Sequence, residues 1–371
     1  MVISYRFYES QIQIGEVYEM LLIDGHLDLA MNALIWNRDL TKSVYEIRRR
    51  EKGMTQKGRA MGTVAFPEMR KGEVGVCLAT LIARIAREGN PFSGYSSPEI
   101  AYAMAKGQLS YYRILESQGR IRIIKDLETL NMHVEEWLSD LRWEAPLGFI
   151  ISMEGADPII NPRQVKDWWE EGLRVVSLSH YGVSTYAHGT GTKGGLTPLG
   201  RELLEEMYSI GMILDVTHLS EESFWEALDL FPGHVIASHN NCRALVPGDR
   251  QFSDEQIKAL IKRDAVIGVA LDAWMLYPGW VKGKTSNIVV SMQAVADQID
   301  HICQLAGNSL HAAIGSDLDG GYGKEQCPHD LDTIADLQKI PTILEERGYS
   351  KRDIEQIMHG NWLRLFRKAW T

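Results

Sequence analysis

The sequence predicts an α/β fold in which eight parallel strands and the helices between them close into a (β/α)8 barrel, also called a TIM barrel. Two observations support this prediction. Short apolar runs rich in β-forming residues alternate with amphipathic stretches of helical period, and eight such units follow one another over about 290 residues. The runs are continuously apolar rather than alternating, which is typical of strands covered on both faces in a parallel sheet.

The predicted strands lie at residues 21–24, 74–80, 148–153, 174–179, 212–217, 234–238, 265–271 and 311–315. Helices are predicted over 162–171, over 199–210, from the N-cap Ser253 onward, and over 291–305. Their ends carry the usual signals, such as Pro162 inside a first turn, a Ser-x-x-Gln pattern from Ser253, and Gly211 after a last turn. The segment 330–371 is predicted to hold the last barrel helix and extra terminal helices. Because no linker rich in Pro, Gly or Ser divides the chain, residues 1–371 are predicted to form a single domain.

The composition is that of a soluble globular protein and argues against a nucleic-acid partner. Hydrophobic residues make up 45% of the 371 residues, enough for a large core. The chain carries 49 acidic and 39 basic residues, for a formal net charge of −10. Binding to a phosphate backbone requires a basic surface, which this balance does not favour.

Cysteine usage and the two ends of the chain predict a cytoplasmic protein without a membrane anchor. The four cysteines are scattered, with no CxxC pair and no secretory spacing. Residues 1–11 lack the charged-then-apolar pattern of a signal peptide, and residues 364–371 carry no apolar tail. No apolar run reaches the roughly 18 residues that a bilayer span needs.

Metal-binding or titratable side chains follow six of the eight predicted strands. They are His26 and Asp28 after the first strand, Glu154 after the third, His180 after the fourth, His218 after the fifth, His239 after the sixth and Asp317 after the eighth. In (β/α)8 barrels the active site lies at the C-terminal ends of the strands. The sequence therefore predicts that these side chains converge on one rim and form a metal-dependent catalytic site.

The spacing of individual residues adds to this prediction. His26 and Asp28 are two apart, so on an extended chain both face one side, with Cα atoms about 6.5 Å apart, and they can share an ion. Glu154 ends a buried run, where a carboxylate needs a cation to offset desolvation; an ion pair with an arginine is the alternative. His218 and His239 end consecutive strands, which lie about 4.8 Å apart, so a shared ion is favoured over two separately satisfied core histidines.

Proton transfer and substrate binding are assigned to other residues near the strand ends. Asp317 is positioned to take a proton from metal-activated water and give it to a leaving amine, with Asp319 as the weaker candidate. The planar fork of Arg250 suits a substrate carboxylate, although alone it would be an ordinary surface arginine. Other histidines are assigned outside the site: His234 and His311 at strand starts, and His133, His301 and His359 in helical stretches as surface or packing residues. His188, in the Gly-rich loop after the fourth strand, could face the substrate, although a structural role is favoured.

Six segments fall in a characteristic order along the chain. They are Asp24-Gly-His-Leu-Asp-Leu, Phe66-Pro-Glu-Met-Arg-Lys-Gly-Glu-Val-Gly, Met153-Glu-Gly-Ala-Asp, Asp215-Val-Thr-His-Leu-Ser, Ser238-His-Asn-Asn-Cys-Arg and Gly315-Ser-Asp-Leu-Asp-Gly. In these segments the chain resembles the membrane (renal) dipeptidases, which are zinc-dependent dipeptidases on an amidohydrolase-type TIM barrel. The closing segment 361–366 also looks like that family's C-terminal helix, so the resemblance runs from about residue 21 to 370.

The resemblance implies a metallo-dipeptidase that binds two zinc ions per chain, or other divalent ions, and hydrolyses dipeptides with hydroxide that the ions generate. His26 and Asp28 would hold the first ion, and His218 and His239 the second. Glu154 would bridge the two ions and so belong to the catalytic residues. The implied partner is a small dipeptide, whose second residue can be D-configured, and relatives suggest a homodimer.

The resemblance also implies roles on the substrate side. His180 would bind the substrate and polarise its carbonyl, Arg250 would anchor the terminal carboxylate, and Asp317 would handle the proton.

Two departures from the family pattern bear on these expectations. Leu27 replaces the asparagine of the usual His-Asn-Asp, which leaves both ligand types unchanged, and residues 272–277 stand where relatives can offer a tyrosine to the substrate. The nearest alternative is a related amidohydrolase that acts on N-acyl amino acids or lactones, although such enzymes often begin with HxH. A catalytically silent barrel used as a binding module would require a failed ligand position, and the sequence contains none.

Overall fold

The computed structural model describes residues 20–90 and 92–371, and in it eight parallel strands close into a barrel surrounded by helices. The strands of the structure are β1 Leu22–Leu27, β2 Val74–Leu81, β3 Ile121–Ile123, β4 Leu147–Glu154, β5 Leu173–Ser177, β6 Ile213–Asp215, β7 Val235–Ala237, β8 Val266–Val269 and β9 Ala312–Ile314. β1 pairs with both β2 and β9, and β2 pairs with β4, so the ring runs β1-β2-β4-β5-β6-β7-β8-β9. The prediction about a signal peptide concerns residues 1–11, which lie outside the described residues.

The predicted (β/α)8 barrel is therefore confirmed, and each of its eight predicted strands coincides with an observed one. Every residue of these strands is buried, because one face of the ring packs inside the barrel and the other packs under the helices. The sequence prediction missed β3, which pairs with the beginning of β4 through Ile121 and Leu147 and lies outside the closed ring. With only three residues and Arg122 at its centre, β3 gives no continuous apolar signal.

Fourteen α-helices connect or flank the strands in the described part of the chain. They are α1 Leu29–Leu34, α2 Val44–Arg50, α3 Phe66–Lys71, α4 Pro98–Ser117, α5 Leu127–Trp137, α6 Val165–Glu170, α7 Pro198–Ser209, α8 Glu221–Leu230, α9 Asp254–Lys262, α10 Ala273–Leu276, α11 Gln293–Ala306, α12 Lys339–Glu346, α13 Lys351–Glu355 and α14 Asn361–Ala369. Short 3₁₀ turns cover Asp140–Trp143, Pro162–Gln164, Asn287–Val289, Lys324–Gln326 and Ile334–Gln338, and a π-helical turn at Gln356–Gly360 joins α13 to α14.

The helix ends behave as the sequence signals predict. Ser253 caps α9 in a capping box with Gln256, and Gly307 ends α11 in the left-handed conformation with φ 68°. The helix predicted over 162–171 starts with the 3₁₀ turn at Pro162 and continues as α6.

Three glycines, in β1, in β8 and directly after β9, make room for the backbone carbonyl of Ser238, which follows β7. A Cβ atom would lie 2.6 Å from the Ser238 oxygen at Gly25, 2.1 Å at Gly268 and 1.8 Å at Gly315, all far below van der Waals contact. The chain after β7 can therefore pass close to the neighbouring strands, which carries Ser238 and the next residue onto the rim.

None of the helices in the described residues has the length and apolar character of a bilayer-crossing segment. All four cysteines are free, and three of them are buried.

Candidate metal centre and active site

The residues predicted at the strand ends lie together at the C-terminal rim of the barrel. His26 belongs to β1, and Asp28 occupies the N-cap position of α1 without capping it through its side chain. Glu154 is the last residue of β4. The other members stand in the loops just after their strands: His180 after β5, His218 after β6, His239 after β7 and Asp317 after β9.

Glu154 lies at the centre of the cluster and faces four imidazoles. Its Oε1 is 3.1 Å from His218 Nε2, 3.4 Å from His239 Nε2 and 3.8 Å from His26 Nε2. Its Oε2 is 3.7 Å from His180 Nε2. Glu154 is therefore within reach of histidines from four different strand ends, as a ligand shared between metal ions would be.

The carboxylates of Asp28 and Asp317 lie next to His26. Its Nε2 is 3.9 Å from both Asp28 Oδ1 and Asp317 Oδ1. Three overlapping groups therefore bring their ligand atoms within 4.8 Å of one another: His26 with Glu154 and His239, Glu154 with His180 and His218, and His26 with Asp28 and Asp317. Imidazole nitrogens and carboxylate oxygens are the ligands that zinc and similar divalent ions accept.

A chain of hydrogen bonds fixes which nitrogen of His239 carries the proton. The Ser238 hydroxyl donates to Asp215 Oδ2 at 2.5 Å, so its oxygen is left to accept from His239 Nδ1 at 2.9 Å. Nε2 of His239 therefore keeps its lone pair and points at the cluster. Thr190 acts in the same way on His218: its hydroxyl contacts the His218 carbonyl at 3.3 Å, and its oxygen contacts Nδ1 at 3.2 Å.

Two aspartates tie neighbouring strand ends together. Asp215 Oδ1 accepts from the backbone N–H groups of Thr217 and Ser238, each at 3.0 Å. Asp24 repeats this arrangement between β1 and β9, where it accepts from Ser316 N at 2.8 Å and from Ser316 Oγ at 2.5 Å. The sequence prediction missed these positioning residues, although the shared spacing of Asp24 to His26 and Asp215 to Thr217 was visible.

Two buried polar atoms of the cluster indicate a place for a cation. His26 Nε2 and Asp28 Oδ1 have no hydrogen-bond partner in the described chain, although both residues are almost fully buried. Native proteins rarely leave buried polar atoms unpaired, and a bound ion accounts for some of the exceptions. The residues present therefore fit a divalent metal.

The electrostatics of the cluster match this picture. Burial lowers the pKa of His218 and His239 well below the usual value, and the cations around them lower it further, so both imidazoles are neutral. Burial would also lower the pKa of His26, but the carboxylates of Glu154, Asp28 and Asp317 outweigh it and raise this pKa to about 10. Burial raises the pKa of Glu154 to about 7 and that of Asp317 well above its ordinary value. Carboxylates this crowded carry a large electrostatic cost that a cation would relieve.

A cavity of about 460 Å³ opens over the cluster and is wide enough for a small ligand. Its charged and aromatic lining includes Asp28, Glu154, Asp272, Asp317, His180, His218, His239, Lys57, Arg84, Arg250, Lys282, Trp274, Tyr181 and Tyr322. Arg250 is held from behind by Asn240 Oδ1 at 2.6 Å and by the His239 carbonyl at 2.8 Å. Arg84 contacts His180 Nδ1 and was not singled out from the sequence, because it follows β2, where no metal ligand marked the strand end.

The weaker candidates are explained by structural roles. Asp319 accepts hydrogen bonds from Arg38 at 3.2 Å and from the Thr63 hydroxyl at 2.8 Å, so it joins loops rather than handling a proton. His234 and His311 precede β7 and β9 at the opposite end of the barrel. His188 does not line the cavity, and His133 is fully buried rather than on the surface.

Comparisons with known proteins agree with this architecture. The model of the membrane dipeptidase family, peptidase family M19, matches residues 14–371. Dipeptidase aclJ of Aspergillus oryzae is 26% identical over 355 residues, which cover 93% of this chain and 77% of that protein.

Two solved structures share the fold. The dipeptidase AC, a metallopeptidase of family M19, superposes with a TM-score of 0.77 at 21% identity and covers 95% of this chain and 99% of that one. A metallopeptidase from Rhodobacter sphaeroides, solved with a phosphinate mimic of the dipeptide L-Ala-D-Ala, superposes with a TM-score of 0.76 at 21% identity and the same coverage.

Proposed function

Because this chain belongs to the membrane dipeptidase family, peptidase family M19, and is therefore a metal-dependent dipeptidase, we propose that it works with two zinc ions and accepts dipeptides whose second residue is L- or D-configured. The ions would be held by His26 and Asp28 on one side and by His218 and His239 on the other. Glu154 would bridge them.

One observation carries this proposal: side chains from four separate strands aim their ligand atoms at Glu154, and two atoms of the cluster have no other partner within the described residues. Glu154 belongs to two of the three groups, one with His26 and His239 and one with His180 and His218, so this single carboxylate is within reach of histidines proposed for both ions. When bound, such ions supply Lewis-acid chemistry, which polarises the scissile carbonyl and lowers the pKa of the attacking water.

His180 would donate a hydrogen bond to the oxygen of the scissile carbonyl. The Arg84 guanidinium can only donate, so the contact between Arg84 and His180 makes Nδ1 the acceptor and leaves the proton on Nε2. Burial, together with the nearby charge of Arg84, keeps the pKa of His180 well below its usual value, so this donor is a neutral imidazole. A preorganised donor of this kind stabilises the negative charge that develops on the oxygen.

Arg250 would bind the terminal carboxylate of the substrate, and Asp317 would transfer the proton. The buried fork of Arg250 suits the terminal carboxylate of a dipeptide and so excludes longer chains from the cavity. Asp317 lies close enough to the cluster to accept the proton of the attacking water and pass it to the leaving nitrogen.

The D-configured substrate is supported by the ligand of the Rhodobacter sphaeroides relative, which mimics L-Ala-D-Ala. Free cysteines support a reducing compartment, and we include a cytoplasmic location in the proposal. The homodimer stays a prediction.

The test is hydrolysis of a dipeptide panel before and after metal removal. We expect the purified enzyme to hydrolyse L,L- and L,D-dipeptides, to lose this activity on dialysis against a chelator, and to regain it with about two equivalents of zinc, measured by elemental analysis. N-acyl amino acids and lactones complete the panel. Faster hydrolysis of either class than of every dipeptide would contradict the proposal.

Asp317→Asn tests the proton-transfer role separately from metal binding. The amide keeps the size of the side chain but cannot accept the proton, so we expect kcat to fall about 10²- to 10⁴-fold while bound zinc is unchanged. Wild-type turnover in this variant would remove Asp317 from the proton-transfer role.

A further inference from the structure

The cavity contains a second guanidinium group besides that of Arg250. Arg84 follows β2 and lines the cavity on the same side as His180. Its guanidinium donates to His180 Nδ1 and, more weakly, to the Ser93 carbonyl at 3.4 Å. Within the described residues, Nη2 of Arg84 donates no hydrogen bond, and the guanidinium forms no ion pair.

The loop after β2 holds Arg84 in this place. Tyr95 N donates to the Arg84 carbonyl at 2.8 Å, and Ala86 N donates to the Tyr95 carbonyl at 2.7 Å, so the loop folds back on itself next to the arginine. The guanidinium carbon of Arg84 lies over the ring of Phe92, 5.0 Å from the ring centroid. Ile85 N is tied to Asp157 Oδ2 at 2.9 Å. These contacts hold the loop after β2 in the conformation that places Arg84 in the cavity wall.

The positive charge of the buried Arg84 guanidinium would be stabilised by an anion bound in the cavity. Burial lowers the pKa of Arg84, which means that the surroundings disfavour its positive charge, and the carboxylates of Glu154 and Asp28 only partly offset this. Within the described residues neither carboxylate forms an ion pair with Arg84, and their close contacts are with histidines of the cluster. The terminal carboxylate of a dipeptide would occupy Arg250, so Arg84 remains available for a second negative group on the same substrate.

We propose that Arg84 is a specificity-determining residue that binds an acidic side chain of the substrate, so that the enzyme prefers dipeptides containing Asp or Glu. This inference rests on the proposed dipeptidase function. Arg84 reaches the acidic group through Nη2 while Nη1 keeps its hydrogen bond to His180, so recognition of the side chain and orientation of the imidazole are combined in one guanidinium.

The experiment compares acidic dipeptides with their amide isosteres. We would measure kcat/KM of the zinc-loaded enzyme for Ala-Asp against Ala-Asn, Asp-Ala against Asn-Ala, and the corresponding Glu and Gln pairs, with L- and D-residues at the second position. We expect the acid to exceed its amide by about 10- to 100-fold in at least one series, the range of a charge-assisted hydrogen bond. The series that shows the preference identifies whether the first or the second residue carries the acidic group.

Three variants make the test specific. Arg84→Gln should bring the ratio of acid to amide close to one while the amide is still hydrolysed, and Arg84→Lys should keep part of the preference. Arg87→Gln is the matched control, because Arg87 stands three residues along the same loop and contacts Thr185 instead of lining the cavity. This control should retain the wild-type ratio.

The proposal is overturned if the wild type does not distinguish acids from amides in any series. It is equally overturned if Arg84→Gln slows both members of a pair by the same factor, since Arg84 would then act only through His180. Calorimetry with the Asp317→Asn enzyme measures the binding of the acid and of the amide in each pair separately from catalysis. Failure to hydrolyse any dipeptide would count against the proposed function, whereas equal binding of acid and amide in every pair would count against Arg84.

Discussion

At the scale of single residues, the candidate centre depends on where each imidazole carries its proton. Asp215 accepts a hydrogen bond from the Ser238 hydroxyl, which leaves the Ser238 oxygen to accept from His239 Nδ1. The nitrogen that faces Glu154 is therefore the one with a free lone pair. This arrangement converts a choice between two tautomers into a fixed ligand geometry, and such outer hydrogen bonds commonly tune metal affinity.

His133, outside the metal centre, also depends on its state of protonation, and it gives a prediction about the pH dependence of stability. It is fully buried, with Nε2 2.9 Å from the Gly75 carbonyl and Nδ1 3.2 Å from Arg122. Burial lowers its pKa from 6.5 to about 4. In the window between these values the unfolded chain binds more protons than the folded one, so stability falls as the pH drops through it.

We expect the titration of His133 to lower the free energy of unfolding by about 2 kcal/mol when the pH falls from 7.5 to 5. In His133→Gln, which keeps a donor for Gly75, the pH-dependent loss should be smaller by that amount. Urea denaturation of both proteins at the two pH values, with a chelator present throughout, measures the difference. An identical loss in the two proteins would show that His133 does not control it.

The roles that could be predicted at this scale are those marked by position in the sequence. His26, Glu154, His218 and His239 follow apolar runs, and the barrel rule alone brings the ends of such runs together. The partners Ser238 and Thr190 could not be found in this way. Hydroxyl-bearing residues are common at strand ends, and only the folded chain determines which imidazole each one meets.

At the scale of elements, the close approach of β7, β8 and β9 depends on the absence of side chains. The Ser238 carbonyl lies in the space that a Cβ of Gly268 or Gly315 would occupy. We expect Gly315→Ala to destabilise the fold by about 3 kcal/mol, because the clash is with backbone atoms and cannot be relieved by a rotamer change.

Gly107→Ala is the opposite case within the same chain. Gly107 lies inside α4, is exposed, and has open space where a Cβ would stand. Alanine should therefore stabilise the protein by about 0.5–1 kcal/mol through its better helix propensity. Thermal and chemical denaturation of both variants would check the pair, and a neutral Gly315→Ala would show that the strand ends can separate without cost.

Elements with a strong local signal were predictable, and those held by tertiary contacts were not. The capping box at Ser253 and the glycine stop at Gly211, just after α7, are local features, and both occur as predicted. β3 exists because it pairs with the beginning of β4, an interaction that no pattern in residues 121–123 reports.

At the scale of the whole molecule, the candidate metal ligands connect strands that are far apart in the sequence. His26 comes from β1, Glu154 from β4, and His218 and His239 follow β6 and β7. Binding at such a site favours the closed barrel over the unfolded chain by mass action.

We expect zinc at about a thousand times its dissociation constant to raise the melting temperature by about 5 °C over the chelated protein. Differential scanning calorimetry with and without chelator measures this shift. In a His239→Ala variant the two melting temperatures should approach each other. Equal melting temperatures for the wild type would mean that the ligands do not bind zinc in the folded state.

The pairing of β1 with β9 has a consequence for how the protein is made. β1 can pair with β9 only after β9 has been synthesised. The hydrogen bond from Ser316 to Asp24 therefore forms nearly three hundred residues after Asp24 is made. Until then the nascent chain carries two open sheet edges, which are sites for unwanted association. Because Asp317 arrives with this final strand, the cluster of candidate ligands and Asp317 cannot be complete until the chain has been synthesised beyond residue 317.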